Sequence, residues 1–309
     1  MDSLASNAFK QILIMFLIIL IGVMCYKKKI VNKDTNKALS DLVLMLVNPL
    51  VIFISYQREF DSKLVNGLMI SMVLAILTHI FGIVCSHLFV RGKKRGDNIA
   101  IERFAVIYSN CGFIGIPLVN GIVGSEGVFY LTAYMTIFNL FVWTHGVILI
   151  TGAKDKKTFI KAILSPSVIA TLTGFIFFMA RIKVPEIPLE TLSYVGNMNT
   201  PLAMLVAGVT IAQTNILRLI TNLRVYYLAA LKLVFVPVVM LLVFSLFNIP
   251  RIVLLTSVLA AGCPVAASIN LFSIRYGKNY LYASEIFAVT TILSVLSIPI
   301  VMTLAELLV

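Results

Sequence analysis

The chain has 309 residues, 60% of them hydrophobic and 12% charged, with a mean hydropathy of +1.01. A soluble domain carries roughly 45–50% apolar and about 25% charged residues, so a soluble enzyme or binding domain is excluded and a polytopic membrane protein is indicated, with the lipid bilayer as its surroundings. The net charge of +12 sits in short clusters between apolar runs, without the aromatic interleaving of a nucleic-acid surface, so no nucleic acid partner is expected.

A helix needs about 20 mostly apolar residues to cross a bilayer. Ten runs qualify: 8–26, 38–56, 64–90, 99–121, 127–151, 159–181, 189–212, 223–246, 252–274 and 280–308. Met1–Lys10 holds one basic residue and no small-x-small cleavage site follows the first run. It reads as a retained first helix, not a signal peptide. Basic residues follow the odd-numbered spans: Lys27, Lys28, Lys29, Lys33 and Lys37; Arg91, Lys93, Lys94 and Arg95; Lys154, Lys156, Lys157 and Lys161; Arg218 and Arg224; Arg275 and Lys278. The other side collects only Lys10, Arg58, Lys63, Arg181, Lys183 and Arg251. The asymmetry puts the odd loops in the cytoplasm and both termini outside the cell membrane.

The fourth and ninth spans are interrupted midway, by Asn-Cys-Gly-Phe-Ile-Gly-Ile-Pro at 110–117 and by Ala-Gly-Cys-Pro-Val-Ala-Ala-Ser-Ile-Asn at 261–270. Glycine and proline break the helical ladder, and lipid cannot satisfy the polar backbone that results. Such breaks persist where they are buried in protein or line a wet cavity. A shift of 152–153 residues superimposes Gly22 on Gly174, Asn48-Pro49-Leu50 on Thr200-Pro201-Leu202, Cys111 on Pro264 and Gly124 on Gly277. Five spans per copy is odd, so the copies enter from opposite sides. The expected fold is all-α, ten transmembrane helices in a 5+5 inverted repeat, with broken helices 4 and 9 crossing at a mid-membrane site.

Half-helices that start at the crossing point their positive ends at it, which suits an anion such as a carboxylate. No arginine lies near either break, so binding is weaker than an Arg clamp and release is easier. The candidate substrate contacts are Asn110, Cys111, Gly112, Gly115, Pro117, Cys263 and Pro264 at the breaks, and Ser268 and Asn270 beyond the second. Asn48 and Thr200 precede the paired prolines of spans 2 and 7. Asn139 in span 5 is a further candidate, or a helix–helix hydrogen bond.

Ionisable residues inside spans are candidates for coupling. Glu285 reads as a proton or sodium site, or as an interfacial group near Lys278. Lys232 is placed to neutralise an incoming anion, or to pair structurally. His79 and His145 titrate near neutral pH or serve as core hydrogen bonders. Asp41, Glu102 and Arg103 fall at helix ends, where charge is ordinary, and Trp143 reads as an interfacial anchor or packing residue. Cys25, Cys85, Cys111 and Cys263 show no metal or disulfide spacing and read as small buried hydrophobes. With no His-Glu-x-x-His, Walker loop or Gly-x-Ser-x-Gly elbow, no enzyme, cofactor or metal is expected, and transport is driven by a gradient or by membrane potential.

Four stretches carry a family likeness: Leu46-Val-Asn-Pro-Leu50; Asn110 to Leu118, continuing to Gly124, Gly127 and Phe138-Asn139; Asn199 to Gly208; and Ala261 to Pro264, continuing to Tyr276-Gly277 and Ala283-Ser284. They resemble the auxin efflux carrier family, which includes plant PIN proteins and bacterial malate and malonate permease-like proteins. The resemblance implies a scaffold of helices 1, 2, 6 and 7 (residues 1–57 and 153–215) that also forms a homodimer. It implies a moving transport domain of helices 3–5 and 8–10 (residues 58–152 and 216–309), working as an elevator. The family's crossover asparagine maps onto Asn110 and its helix 9 proline onto Pro264. Only Gly152–Thr158 stands where plant members have a long cytoplasmic loop, so the chain resembles the prokaryotic, bacterial members. The expected function is a secondary carrier that exports small organic anions. The alternatives are a Na⁺- or H⁺-coupled carboxylate symporter, an anion channel, and a membrane sensor or receptor built on the same fold.

Overall fold

Long apolar runs can satisfy their backbone in lipid only as helices, and these runs are helical. The computed structural model describes residues 4–92, 97–152, 164–214 and 221–308. Lys93, Lys94, Arg95, Lys154, Lys156, Lys157, Lys161 and Arg218 of the basic clusters lie outside the described residues, as do the start of the sixth run and the expected domain joins near 153 and 215. In chain order the helices are α1 Leu4–Lys27, α2 Lys33–Ser55, α3 Ser62–Phe89, α4 Asp97–Ile107, α5 Cys111–Ile122, α6 Ser125–Thr151, α7 Pro166–Met179, α8 Glu186–Gly196, α9 Asn199–Ala212, α10 Leu223–Phe244, α11 Arg251–Gly262, α12 Ser268–Arg275 and α13 Tyr280–Leu308. The described residues contain no strand beyond one isolated antiparallel bridge, Ser109 with Val265.

Seven of the described helices are long and apolar enough to cross a membrane: α1, α2, α3, α6, α8 with α9, α10 and α13. The shorter α5, α7 and α11 are also apolar. The runs 99–121 and 252–274 each form two helices, α4 with α5 and α11 with α12, because the chain leaves the helical ladder at 108–110 and 263–267.

Four of the described helices contain a π-turn: Val43–Val47 in α2, Cys111–Gly115 in α5, Val142–Gly146 in α6 and Leu231–Phe235 in α10. Three of them are followed within two residues by a proline, Pro49, Pro117 and Pro237. Proline lacks an N–H and clashes with the preceding turn, and a wider turn relieves both problems while it rotates the side chains after it. Local chemistry also sets the helix starts. Asn32 accepts from the Thr35 amide at 2.8 Å, and Asp61 from the Lys63 amide at 2.8 Å.

Small residues let the backbones touch, as membrane helices require. A Cβ at Gly208 would stand 2.1 Å from the Ile19 carbonyl oxygen, and one at Gly22 2.4 Å from that of Leu205. The α1–α9 crossing therefore depends on these two glycines. Farther along, α2 lies on α7 and α8, α3 lies on α6, and α13 touches α1, α10 and α12. Three polar contacts tie α1 and the residues just after α2 to α5 and α6. Gln11 Nε2 donates to the Pro117 carbonyl at 3.2 Å, Tyr56 OH lies 2.6 Å from Thr132 Oγ1, and Arg58 Nη2 donates to the Ser125 carbonyl at 3.0 Å. Burial pushes the Arg58 guanidinium below its ordinary value, against the pull of the Glu126 charge.

Candidate anion site at the crossing of two broken helices

The two interruptions meet. The Asn110 amide donates to the Pro264 carbonyl at 2.7 Å, and the Ala266 amide donates to the Tyr108 carbonyl at 2.9 Å. This pair of bonds forms the antiparallel bridge at Ser109 and Val265. Each break satisfies part of the other's orphaned backbone, which a break facing lipid could not do. The Ser109 hydroxyl donates to the Ala261 carbonyl at 3.1 Å, and the Val265 amide reaches Thr290 Oγ1 on α13 at 3.3 Å. The crossing is tight: a Cβ at Gly115 would lie 3.4 Å from Cys263 Sγ.

Two helices begin here, α5 and α12, so two positive ends face the crossing. Asn110 caps α5: its Oδ1 accepts from the Phe113 amide at 3.4 Å, and its carbonyl accepts from Ile114 and Gly115. At the start of α12 no side chain caps the helix, and the Ser268 hydroxyl is buried without a hydrogen-bond partner among the described residues. Asn270 Oδ1 accepts from Ser284 Oγ at 3.1 Å, which ties α12 to α13.

Lys232 comes to the same place from α10. It is 1% exposed, and its Nζ donates to Ser109 Oγ at 2.5 Å. Its π-turn carries it there, and the charge lies within electrostatic reach of Cys111 and Cys263. On the opposite side Asn48, just past the α2 π-turn, accepts from Asn199 Nδ2. A Cβ at Gly112 would lie 3.5 Å from Asn48 Nδ2. The structure thus brings together Asn110, Cys111, Gly112, Gly115, Cys263, Pro264, Asn48 and Lys232, with Pro117 one turn into α5.

Other expected residues stand apart. Thr200 is half-buried and does not bond Asn48, the partner of which is Asn199 one residue earlier. Asn139 is half-buried in α6 and hydrogen-bonds neither break. His79 Nδ1 bonds the Ala75 carbonyl at 2.7 Å, with its ring among Tyr108, Tyr134, Phe138 and Phe141. His145 Nδ1 lies 2.8 Å from Tyr108 OH. Trp143 packs edge-on against Phe272 at 5.1 Å between centroids.

Glu102 corrects its reading as an ordinary helix-end charge. It is 0% exposed, receives Arg224 Nη2 at 2.6 Å and Nε at 3.0 Å, and accepts from Tyr282 OH at 2.9 Å. Glu285 is 6% exposed, with Asn222 Nδ2 at 3.5 Å. It lines a cavity of about 400 Å³ with Thr221, Asn222, Asn279 and Tyr282. At 1.5 Å rise per residue, Glu285 lies about 7.5 Å and Tyr282 about 12 Å along α13 from Thr290. The residues that line this cavity are not those of the crossing, where the convergence of helix ends and a buried cation is the stronger sign of an anion site. Ser109, Thr290 and Asn199 are the residues at the crossing that sequence reasoning missed. The first lies in the gap beside Asn110 and the third inside the motif starting at residue 199, while nothing in the sequence marks Thr290.

A family model described as membrane transport protein matches residues 7–302. An uncharacterized transporter of Methanothermobacter thermautotrophicus is 23% identical over 299 residues, covering 94% of this chain and 96% of that protein. Uncharacterized transporter YfdV of Escherichia coli K12 is 24% identical over 306 residues, 94% of this chain and 95% of its own. A provisionally named malonate transporter of Rhizobium meliloti is 26% identical over 222 residues, 68% of each.

Proposed function

The chain belongs to the membrane transport protein family, and on that premise we propose that it is a secondary carrier of small organic anions, carboxylates foremost, that holds its substrate at the crossing of the broken helices. The observation that carries this reading is the mutual hydrogen bonding of 108–110 with 264–266 beneath two helix N-termini. Oriented backbone dipoles and Asn110 recognise negative charge without a guanidinium clamp, and so allow release. The malonate name attached to one relative fits a carboxylate.

The working architecture has ten spans in a 5+5 inverted repeat, with α4–α5 and α11–α12 as the fourth and ninth. The scaffold is residues 1–57 and 153–215, which pairs two copies. Residues 58–152 and 216–309 move as an elevator within the cell membrane, both termini outside. A cell interior at about −100 mV favours outward movement of a monoanion by about 2.3 kcal/mol, so an uncoupled carrier exports. Thermal-shift screening of purified protein against a carboxylate library identifies the ligand, since binding to the folded state alone raises apparent stability. Radiolabelled flux in proteoliposomes then tests the site. Undiminished flux in Asn110→Ala and Pro117→Ala would place the substrate elsewhere.

A second reading, coupling to Na⁺ or H⁺, draws support from Glu285 beside its polar cavity. Flux that survives collapse of both ion gradients rejects it.

A further inference from the structure

Lys232 is a buried cation. A lysine at 1% exposure is ordinarily paired with a carboxylate. No carboxylate among the described residues lies within ion-pair distance of this one. Glu102, the fully buried acid, is taken by Arg224. An ammonium has three donors, and Ser109 Oγ accepts one of them. The titratable groups around Lys232 are Cys111 and Cys263 from the two breaks and His79 from α3. The helix that carries it is seated on the crossing, since a Cβ at Gly262 would lie 3.5 Å from the Pro237 ring. The 152–153-residue shift pairs Lys232 with His79, which is bonded to its own helix at Ala75. Among the described residues, the second half of the chain thus brings a cation to the crossing and the first half does not.

We infer that the transported anion crosses the membrane as an ion pair with Lys232, so that the loaded carrier moves one negative charge fewer than the anion bears. The inference rests on the carrier reading above and adds the charge balance of its moving part. Helix dipoles stabilise a carboxylate but leave its full charge to cross the field, whereas an ammonium beside it cancels that charge. For a monoanion the loaded crossing is neutral. The membrane potential then acts on the empty carrier, whose return brings the lysine's charge inward. Each cycle still exports one negative charge.

The test is exchange in proteoliposomes, with potassium diffusion potentials set by valinomycin and equal, saturating radiolabelled pyruvate, a monoanion, on both sides, so that only the loaded carrier crosses. Exchange by the unaltered protein stays flat between about −100 and +100 mV. In Lys232→Gln one crossing is hastened and the other slowed by a full charge, so exchange falls about threefold to fourfold at 100 mV of either sign. Lys232→Arg restores the flat profile. A sloped profile in the unaltered protein, or a flat one in Lys232→Gln, overturns the inference. Should Lys232→Gln not fold, the unaltered protein decides by itself: pyruvate exchange is flat, and malonate, a dianion near neutral pH, shows the slope of one charge and not of two. A complete lack of flux across the carboxylate library removes the carrier reading instead, an outcome distinct from flux with the wrong voltage profile.

Discussion

The three residues between α4 and α5 bring their own hydrogen-bonding side chains, whereas the five between α11 and α12 depend on a proline and on their neighbours. Asn110 caps the helix it precedes, and Ser109 bridges to Ala261 and Lys232. In the second break Pro264 offers only a carbonyl, Val265 borrows Thr290 from α13, and Ser268 holds an unanswered hydroxyl at the start of α12. One break is internally satisfied and shapes the crossing; the other retains polar capacity that a ligand can take up. Their difference also separates stability from binding, since removing a satisfied group costs folding free energy and removing an unanswered one does not.

Substitutions can break or sharpen this contrast. The largest effect is expected from Gly115→Val, which wedges branched carbons toward Cys263 and forces the two arms apart; overpacking of this kind costs about 1–3 kcal/mol. A lowered thermal midpoint together with lost flux is the expected result. Next comes Asn110→Ala, which removes the α5 cap at about 0.5–2 kcal/mol and a proposed substrate donor, so both the midpoint and the flux fall. Thr290→Val deprives the Val265 amide of its acceptor and costs about 1 kcal/mol, visible as a smaller midpoint shift. Ser268→Ala should change stability by less than about 0.5 kcal/mol while weakening ligand affinity about tenfold, a change of about 1.4 kcal/mol. Calorimetric titration with the carboxylate found by screening checks that separation. A large loss of stability in Ser268→Ala, or unaltered stability in Asn110→Ala, would erase the contrast between the breaks.

Much of the architecture was legible because lipid imposes it. Runs of apolar residues announced the helices, and Pro264 marks the second gap, whereas Gly112, Gly115 and Pro117 lie within α5, just after the first gap at 108–110. Which side chains face one another was less legible. Asn48 and Thr200 read alike as candidate contacts before paired prolines, yet it is Asn199 that bonds Asn48; neighbouring helical residues point about 100° apart, so a shift of one residue selects another group. The π-turns at Val43–Val47 and Leu231–Phe235 add a local rotation that no periodicity records. Glu102 read as an ordinary helix-end charge because its partners, Arg224 and Tyr282, stand far off in the chain.

By itself the sequence determined that the chain lives in a membrane, that it is helical, and that two of its apolar runs are interrupted. Those properties follow from composition and from the backbone chemistry of glycine and proline, which act within a few residues. Tertiary structure alone decided that the interruptions bond to each other, that Ser109 and Thr290 complete the crossing, and that Lys232 lies buried there with no carboxylate beside it among the described residues. Such facts depend on distances between residues more than a hundred positions apart, and on the rotation of each helix about its own axis, which only the packed molecule sets.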